Sequence, residues 1–464
     1  MSEFFLTCDH EPAECQRLGP ILTRARRRVL LSSCVAMLAV GTNSTAIMAA
    51  LPTMRTELSL GPAGLQWTIN AYLVVSGACI VMGGAAADRF GARKTAMVGL
   101  ALFAIASSFI ATAGSEHTLL AARALQGIAA AFAVPSTLAD IRNSAPSERQ
   151  GTAIGAWTGF LMLGFSVGPL IGGALTHFAS WRVIFWLNAV LMLAAIAGLG
   201  LGGPAARRTD ATPGRPADWL GFVLLAVFMV SLVFALQELP HAARGSLEVA
   251  GPLALALTAF VCLLRVELRA ETPLFDVRFF GNRAFAMGAL ISSLSIMSVM
   301  SLLLYYNLYS QSQEGLGLTP LEAGASLLPL CVALLTLAIS ASSTAARVGL
   351  RATLMVGMAL VVIGSATLGI ATVMGGFFVL AIGFFVLGAG LALPSAIAPQ
   401  LALSALSRAQ AGQGSGMVNA CTFLGGSIGV AVGAIAFAWG GFAAVLAMLA
   451  FVGMLGVTLS RWIP

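Results

Sequence analysis

Arg89-Phe90-Gly91-Ala92-Arg93 and Arg347-Val348-Gly349-Leu350-Arg351 share one pattern, basic-apolar-glycine-apolar-basic, at an offset of 258 residues. Each stands between two long apolar runs. Two further features recur in the same order: Pro135-Ser136 returns as Pro394-Ser395, 259 residues on, and the glycines at 151, 155, 164 and 168 return at 412, 416, 425 and 429, each 261 on. Glycine alone would prove little, because the chain has 51 of them and small residues pack helices in membranes generally. Three ordered matches at a nearly constant offset indicate two copies of one unit, repeated in the same direction.

The unit is helical and built for a bilayer. Of 464 residues, 58% are hydrophobic and 9% are charged, against roughly 25% charged in a soluble domain. Apolar runs of about 20 residues, each enough to cross a ~30 Å hydrocarbon core as a helix, recur throughout. The short alternating strands of a membrane β-barrel are missing from the sequence. Polar, glycine and proline breaks divide it into fourteen spans, near 29–52, 66–87, 95–114, 118–140, 150–176, 183–203, 219–239, 249–266, 285–309, 320–343, 351–371, 374–397, 412–436 and 441–460. The expected fold is therefore all-α, with fourteen transmembrane helices in two six-helix halves. The expected divisions are a tail, 1–28, a first half, 29–203, a two-helix insertion with its loops, 204–284, and a second half, 285–464.

Charge sets the orientation. The first 28 residues are polar and close on Arg24, Arg26, Arg27 and Arg28. The apolar run behind them is too long for a signal core and lacks a small-residue cleavage site. With the N-terminus inside, 21 of the 25 basic residues fall in cytoplasmic segments, three (Arg55, Arg182, Arg244) fall outside and Arg123 falls within a span. This is the bias the positive-inside rule requires. It predicts a multi-pass protein of the cell (inner) membrane with both termini cytoplasmic, in contact with membrane lipids. It also assigns the net charge of +7 to topology and not to nucleic acid. The cysteines (Cys8, Cys15, Cys34, Cys79, Cys262, Cys331, Cys421) lack metal-ligand spacing and read as free thiols.

Three segments carry more specific chemistry. The loop after the second span reads Gly84-Ala85-Ala86-Ala87-Asp88-Arg89-Phe90-Gly91-Ala92-Arg93-Lys94. Gly91 permits a tight turn, and Asp88 among Arg89, Arg93 and Lys94 can form a charge cluster that breaks and remakes. The fourth span carries Arg123-Ala124-Leu125-Gln126-Gly127 before Pro135-Ser136. An arginine in hydrocarbon costs at least ~2.5–3.5 kcal/mol, so it normally faces a cavity or a partner. In the fifth span, Gly164, Gly168, Pro169, Gly172 and Gly173 form a smooth stripe with a bend.

These residues resemble the major facilitator superfamily, in particular its fourteen-helix drug:proton antiporter branch. The loop is similar to the superfamily's signature loop and the fourth-span segment to the branch's second motif. The Gly-Pro-x-x-Gly-Gly ending is similar to the pattern shared by the family's antiporters. Gln66-Trp67, Ala71-Tyr72, Trp181-Arg182 with Phe185 and Asn188, Asp218-Trp219 and Pro273-Leu274-Phe275-Asp276 add to the resemblance, which covers residues 29 to 461. It implies a secondary transporter that exports small amphipathic organic compounds by alternating access, with protons as a candidate coupling partner. An importer or facilitator of a small solute on the same fold stays open. A monomer is expected and no cofactor is implied. An enzyme reading finds no phosphate loop, nucleophile–base pair or metal cluster.

One departure matters. The branch usually places an aspartate nine residues before the proline of its Leu-Pro step; here that proline is Pro52, and nine back stands Asn43. No carboxylate falls near the centre of any span, whereas proton relays normally use such acids. Arg123, at a similar depth to Asn43, is then the dominant buried charge and should face water or hold an anion, which favours an anionic or neutral substrate. Further cavity candidates are Asn70, Trp157, Tyr305, Tyr306, Asn307 and Asn419. Thr319-Pro320-Leu321-Glu322 reads as a capping box with proline at the first helical position, and Ser147 and Gln150 read as caps of the fifth span.

Overall fold

The computed structural model describes residues 12–145, 149–202, 219–239, 247–270, 273, 275–407 and 410–463. Its elements are helices: α1 Pro12–Glu57, α2 Pro62–Phe90, α3 Ala92–Ala111, α4 Glu116–Ser144, α5 Gln150–Phe178, α6 Arg182–Gly200, α7 Trp219–Glu238, α8 Leu247–Arg269, α9 Arg283–Gln311, α10 Pro320–Ser326, α11 Leu328–Val348, α12 Leu350–Met374, α13 Phe377–Ser404 and α14 Ala411–Ser460, with a 3-10 turn at Val277–Gly281. Thirteen are long and apolar enough to cross a membrane. The last holds two crossings, because Gly440 (φ −155°, ψ 27°) and Gly441 (φ 60°, ψ −152°) break it. Among the described residues fourteen crossings result, as the sequence indicates.

Two boundaries differ from the sequence expectation. The span expected at 320–343 opens with the separate short helix α10. Pro329 lies two residues into α11, where it can neither donate to the carbonyl of Ala325 nor continue the preceding helix past it. The expected polar tail is helical from Pro12 and runs straight into the first crossing.

The packing repeats as the sequence does. In the first half α1 lies on α5 and α6, while α2 and α3 lie on α4; in the second, α9 lies on α14, while α11 and α12 lie on α13. The two matched turns have matched backbones, with Gly91 at φ +96° and Gly349 at φ +95°. Side chains rarely adopt that region, which explains why glycine recurs there. The inserted helices α7 and α8 pair with each other, and α7 also packs on α2 and α14.

The end of the bundle bearing Arg89, Lys94, Arg347 and Arg351 is here the basic end, and the end bearing Glu57, Glu116 and Glu322 the far end. At the far end the halves are in close contact: Gly173 lies on Pro320, Gly324 on Pro169, and the Gln311 amide donates to the Ala49 carbonyl at 3.0 Å. Toward the basic end one face of α5 is open, since a Cβ added at Gly151, Gly155 or Gly159 would meet nothing within 4 Å, while Ala153 and Trp157 on its other side are buried. The halves thus meet at the far end through α5 and α10 and, nearer the basic end, along α2 and α14, with one face of α5 open there.

Candidate functional site

Arg123 anchors a polar cluster inside the first half. It is 1% exposed. Its Nε donates to the Thr68 carbonyl at 2.8 Å, its Nη1 donates to Gln126 Oε1, and its guanidinium lies 4.7 Å from the centre of the Tyr72 ring. Of the two expectations for Arg123, water or an anion, its burial excludes water in this conformation. A carbonyl, an amide oxygen and an aromatic face take the place of solvent, the last as a cation–π contact that strengthens on desolvation.

The structure brings Asn43 to the same place. Gln126 Nε2 donates to Asn43 Oδ1 at 3.2 Å and to Ser107 Oγ at 2.9 Å, and Asn43 Nδ2 donates to Gln126 Oε1 at 3.4 Å. Asn188 Nδ2 donates to Asn43 Oδ1 at 3.0 Å. Helices α1, α2, α3, α4 and α6 therefore meet through amides, a hydroxyl and one cation, with no carboxylate among the partners of Arg123. Sequence reasoning named Asn43, Arg123 and Gln126 for the site but not Ser107, Tyr72 or Asn188. The available signal was Asn188, a lone amide in a strongly apolar helix. A cavity of about 300 Å³ lies between α1, α5 and α6, lined by aliphatic side chains with Thr42 and Asn188.

The glycine stripe of α5 serves a close helix contact. A Cβ at Gly164 would strike the Leu38 carbonyl, one at Gly168 the Thr45 hydroxyl, and one at Gly172 the Ala46 carbonyl, whereas Gly173 turns to α10. Pro169 lacks an N–H, so the Phe165 carbonyl one turn earlier loses its helical donor. Thr45 Oγ1 supplies one from α1 at 3.0 Å. Pro169 of α5 and the hydroxyl of α1 are thus a matched pair.

The loop between α2 and α3 divides into an exposed and a buried part. Asp88, Arg89, Gly91 and Lys94 are exposed and Gly84 meets nothing within 4 Å. Arg93 instead turns inward and pairs with Asp140 of α4 (Nε to Oδ2, 3.0 Å), with a further bond to Ser144 at 3.4 Å. Asp140 is a buried ion-pair partner. Glu267 is likewise buried, its Oε2 accepting from the Phe275 amide at 3.1 Å.

The remaining candidates scatter. Tyr305 donates to the Val430 carbonyl at 2.6 Å, Tyr306 shares a hydrogen bond with Ser326, and Asn307 donates to the Leu303 carbonyl at 2.7 Å, all buried within the second half. Trp157 Nε1 donates to Thr137 Oγ1 at 3.2 Å, and Asn419 donates to the Ser415 carbonyl at 2.9 Å. Asn70 is fully buried with both amide atoms unpaired. The Thr319–Glu322 box forms: the Thr319 amide donates to Glu322 Oε2 at 2.8 Å and the Glu322 amide to Thr319 Oγ1 at 3.3 Å. That amide holds the exposed Glu322 carboxyl below its ordinary value. The expected cap of α5 does not form at Gln150, whose side chain donates back to the Arg142 carbonyl of α4 at 2.9 Å. Ser147 lies outside the described residues.

Comparison with known proteins places this geometry. The chain is 33% identical over 350 residues to a tetracenomycin C resistance and export protein of Streptomyces glaucescens, covering 75% of this chain and 63% of that one. It is 29% identical over 418 residues to a lincomycin resistance protein of Streptomyces lincolnensis, covering 88% and 84%. A third relative, the multidrug efflux pump LfrA of Mycolicibacterium smegmatis, is 30% identical over 319 residues, covering 68% and 62%. A crystal structure of an auto-inhibited POT family peptide transporter superposes with a TM-score of 0.67 over 94% of this chain and 95% of that one, at 16% identity, a likeness of fold alone. The Major Facilitator Superfamily profile matches residues 33–430, and the chain belongs to that superfamily.

Proposed function

We propose that the protein exports small amphipathic organic compounds, neutral or anionic, across the cell membrane by alternating access, with the basic end in the cytoplasm. The observation that carries the reading is the α5 contact: Pro169 and Gly173 meet α10 of the other half at the far end, while one face of the same helix is open toward the basic end. A substrate would enter this state from the cytoplasm. Relatives named for resistance and export support that direction. The charge preference rests on Arg123, a buried cation among amides, where an acid would select cations. The same absence of a carboxylate leaves proton coupling without a carrier at position 43.

Asp88 is the proposed gate residue. Val81 of α2 meets Gly416 of α14, and Gly77 meets Ala420. Continued in that antiparallel register, α2 carries Asp88 level with the start of α14, whose N-terminus attracts a carboxylate within about one turn. Asp88→Asn should therefore impair flux without impairing insertion.

Everted membrane vesicles test the direction. Uptake of tetracenomycin C or chloramphenicol into everted vesicles, raised over a deletion control, is the expected result. Uptake only into right-side-out vesicles would favour the importer reading, which the missing acid keeps open. For orientation, an impermeant thiol reagent should not reach a cysteine placed at position 278 in intact cells.

A further inference from the structure

The seam where α2 meets α7 and α14 has a regular register. Gly77 of α2 lies against Met229 of α7 and against Ala420 and Phe423 of α14, Leu73 lies against Gly426, and the Trp67 and Phe234 rings are 6.2 Å apart. One further helical turn toward the far end brings Asn70 level with Ser427, and Gln66 level with Gln237. The faces agree with the levels. Gln66, Asn70, Leu73 and Gly77 share one face of α2 at three- and four-residue spacing; Ala420, Phe423 and Ser427 share one of α14; Met229, Val233 and Gln237 share one of α7.

All four polar side chains are more than nine-tenths buried: Asn70 and Ser427 are 0% exposed, Gln237 2% and Gln66 6%. Both amide atoms of Asn70 and of Gln237, the Oε1 of Gln66 and the Oγ of Ser427 make no hydrogen bond with the protein. The Asn43 cluster, by contrast, spends its amides on one another. Buried polar groups are almost always paired, so several unpaired ones on a single seam call for an occupant or a second state. Their placement supplies both. The first half, the second half and the insertion each contribute, and the seam lies toward the far end, where the halves must part for release.

We infer that Gln66, Asn70, Gln237 and Ser427 form a hydrogen-bonding subsite that takes a neutral polar group of the transported compound, an amide, carbonyl or hydroxyl, when the far end opens. The four offer donors and acceptors without charge, so the subsite distinguishes hydrogen-bonding compounds from purely lipophilic ones. It gives α7 a share in recognition, beyond that of a spacer between halves. The inference rests on the export reading above.

The test uses the full-length protein in nanodiscs and two radiolabelled probes. Chloramphenicol is neutral and carries an amide and hydroxyls, whereas the anion tetraphenylborate has no hydrogen-bonding group. Asn70→Leu and Gln237→Leu should each raise the ratio of the chloramphenicol Kd to the tetraphenylborate Kd about tenfold, the loss of one hydrogen bond. Thermal midpoints should not fall, because each change replaces an unpaired amide with hydrocarbon. An unchanged ratio overturns the subsite, as does equal loss of both probes, which would mark a structural role. Wild-type protein that exports other compounds from everted vesicles but does not bind chloramphenicol also overturns the subsite and leaves the export reading standing. Failure of export across the whole panel would instead strike the export reading.

Discussion

Thr45→Val isolates the one hydrogen bond that answers the carbonyl freed by Pro169. Pro169 cannot donate to the Phe165 carbonyl, and Thr45 Oγ1 does so from α1 at 3.0 Å; its own-helix alternative, the Gly41 carbonyl, is longer at 3.5 Å. Valine preserves the shape and removes the donor, leaving a buried acceptor with nothing to replace it. Such a loss costs about 1–3 kcal/mol in general, and interhelical bonds within membranes reach at most about 1.7 kcal/mol. The expected destabilisation is therefore about 1–1.5 kcal/mol, between those bounds. In a Pro169→Ala background residue 169 regains its N–H, the carbonyl recovers a helical donor, and the same Thr45→Val change should cost close to nothing. The assay is reversible unfolding of the four proteins in bilayers, read as a double-mutant cycle, with Thr45→Ser as the control that keeps the hydroxyl. Additive costs, or a serine variant as unstable as the valine one, would refute the pairing of proline and threonine.

Other perturbations probe separate parts. Arg123→Ala should abolish export of an anionic substrate, and Arg123→Lys should not restore it, since an ammonium cannot reproduce the planar stack on Tyr72 with two divergent bonds. Asn43→Asp places a carboxylate one amide from Arg123; it should weaken anion flux and admit organic cations, and unchanged flux at two external pH values would contradict this. Gly91→Ala and Gly349→Ala should each destabilise by about 1–2 kcal/mol through their positive φ, whereas Gly155→Ala, in open space on a helix, should not lower the unfolding midpoint. The Glu322 box should respond to acid. Its carboxyl titrates below the ordinary value because the Thr319 amide donates to it, so its support for α10 is complete above the unfolded-state value, near pH 4.3, and is lost as pH falls through the depressed folded value. Faster exchange of the Thr319 amide in acid, absent from Glu322→Gln, is the measurement.

The sequence by itself determined the membrane, the number of crossings and the twofold repeat, because each rests on local chemistry. Apolar runs must be helical in lipid, and an offset that recurs between Gly91 and Gly349 needs no contact to be seen. It also marked Asn43, Arg123 and Gln126, since a polar group in an apolar run is conspicuous wherever it points. Direction was not legible there. Nothing in the order of residues says that Arg93 turns inward to Asp140 while Arg89 and Lys94 stay exposed, or that Tyr305 and Tyr306 spend their hydroxyls inside the second half. Nor could it pair Thr45 with a carbonyl freed 120 residues away, or line up Gln66, Asn70, Gln237 and Ser427 on one seam. Those contacts depend on how helices rotate and cross, which packing sets only once every neighbour is in place.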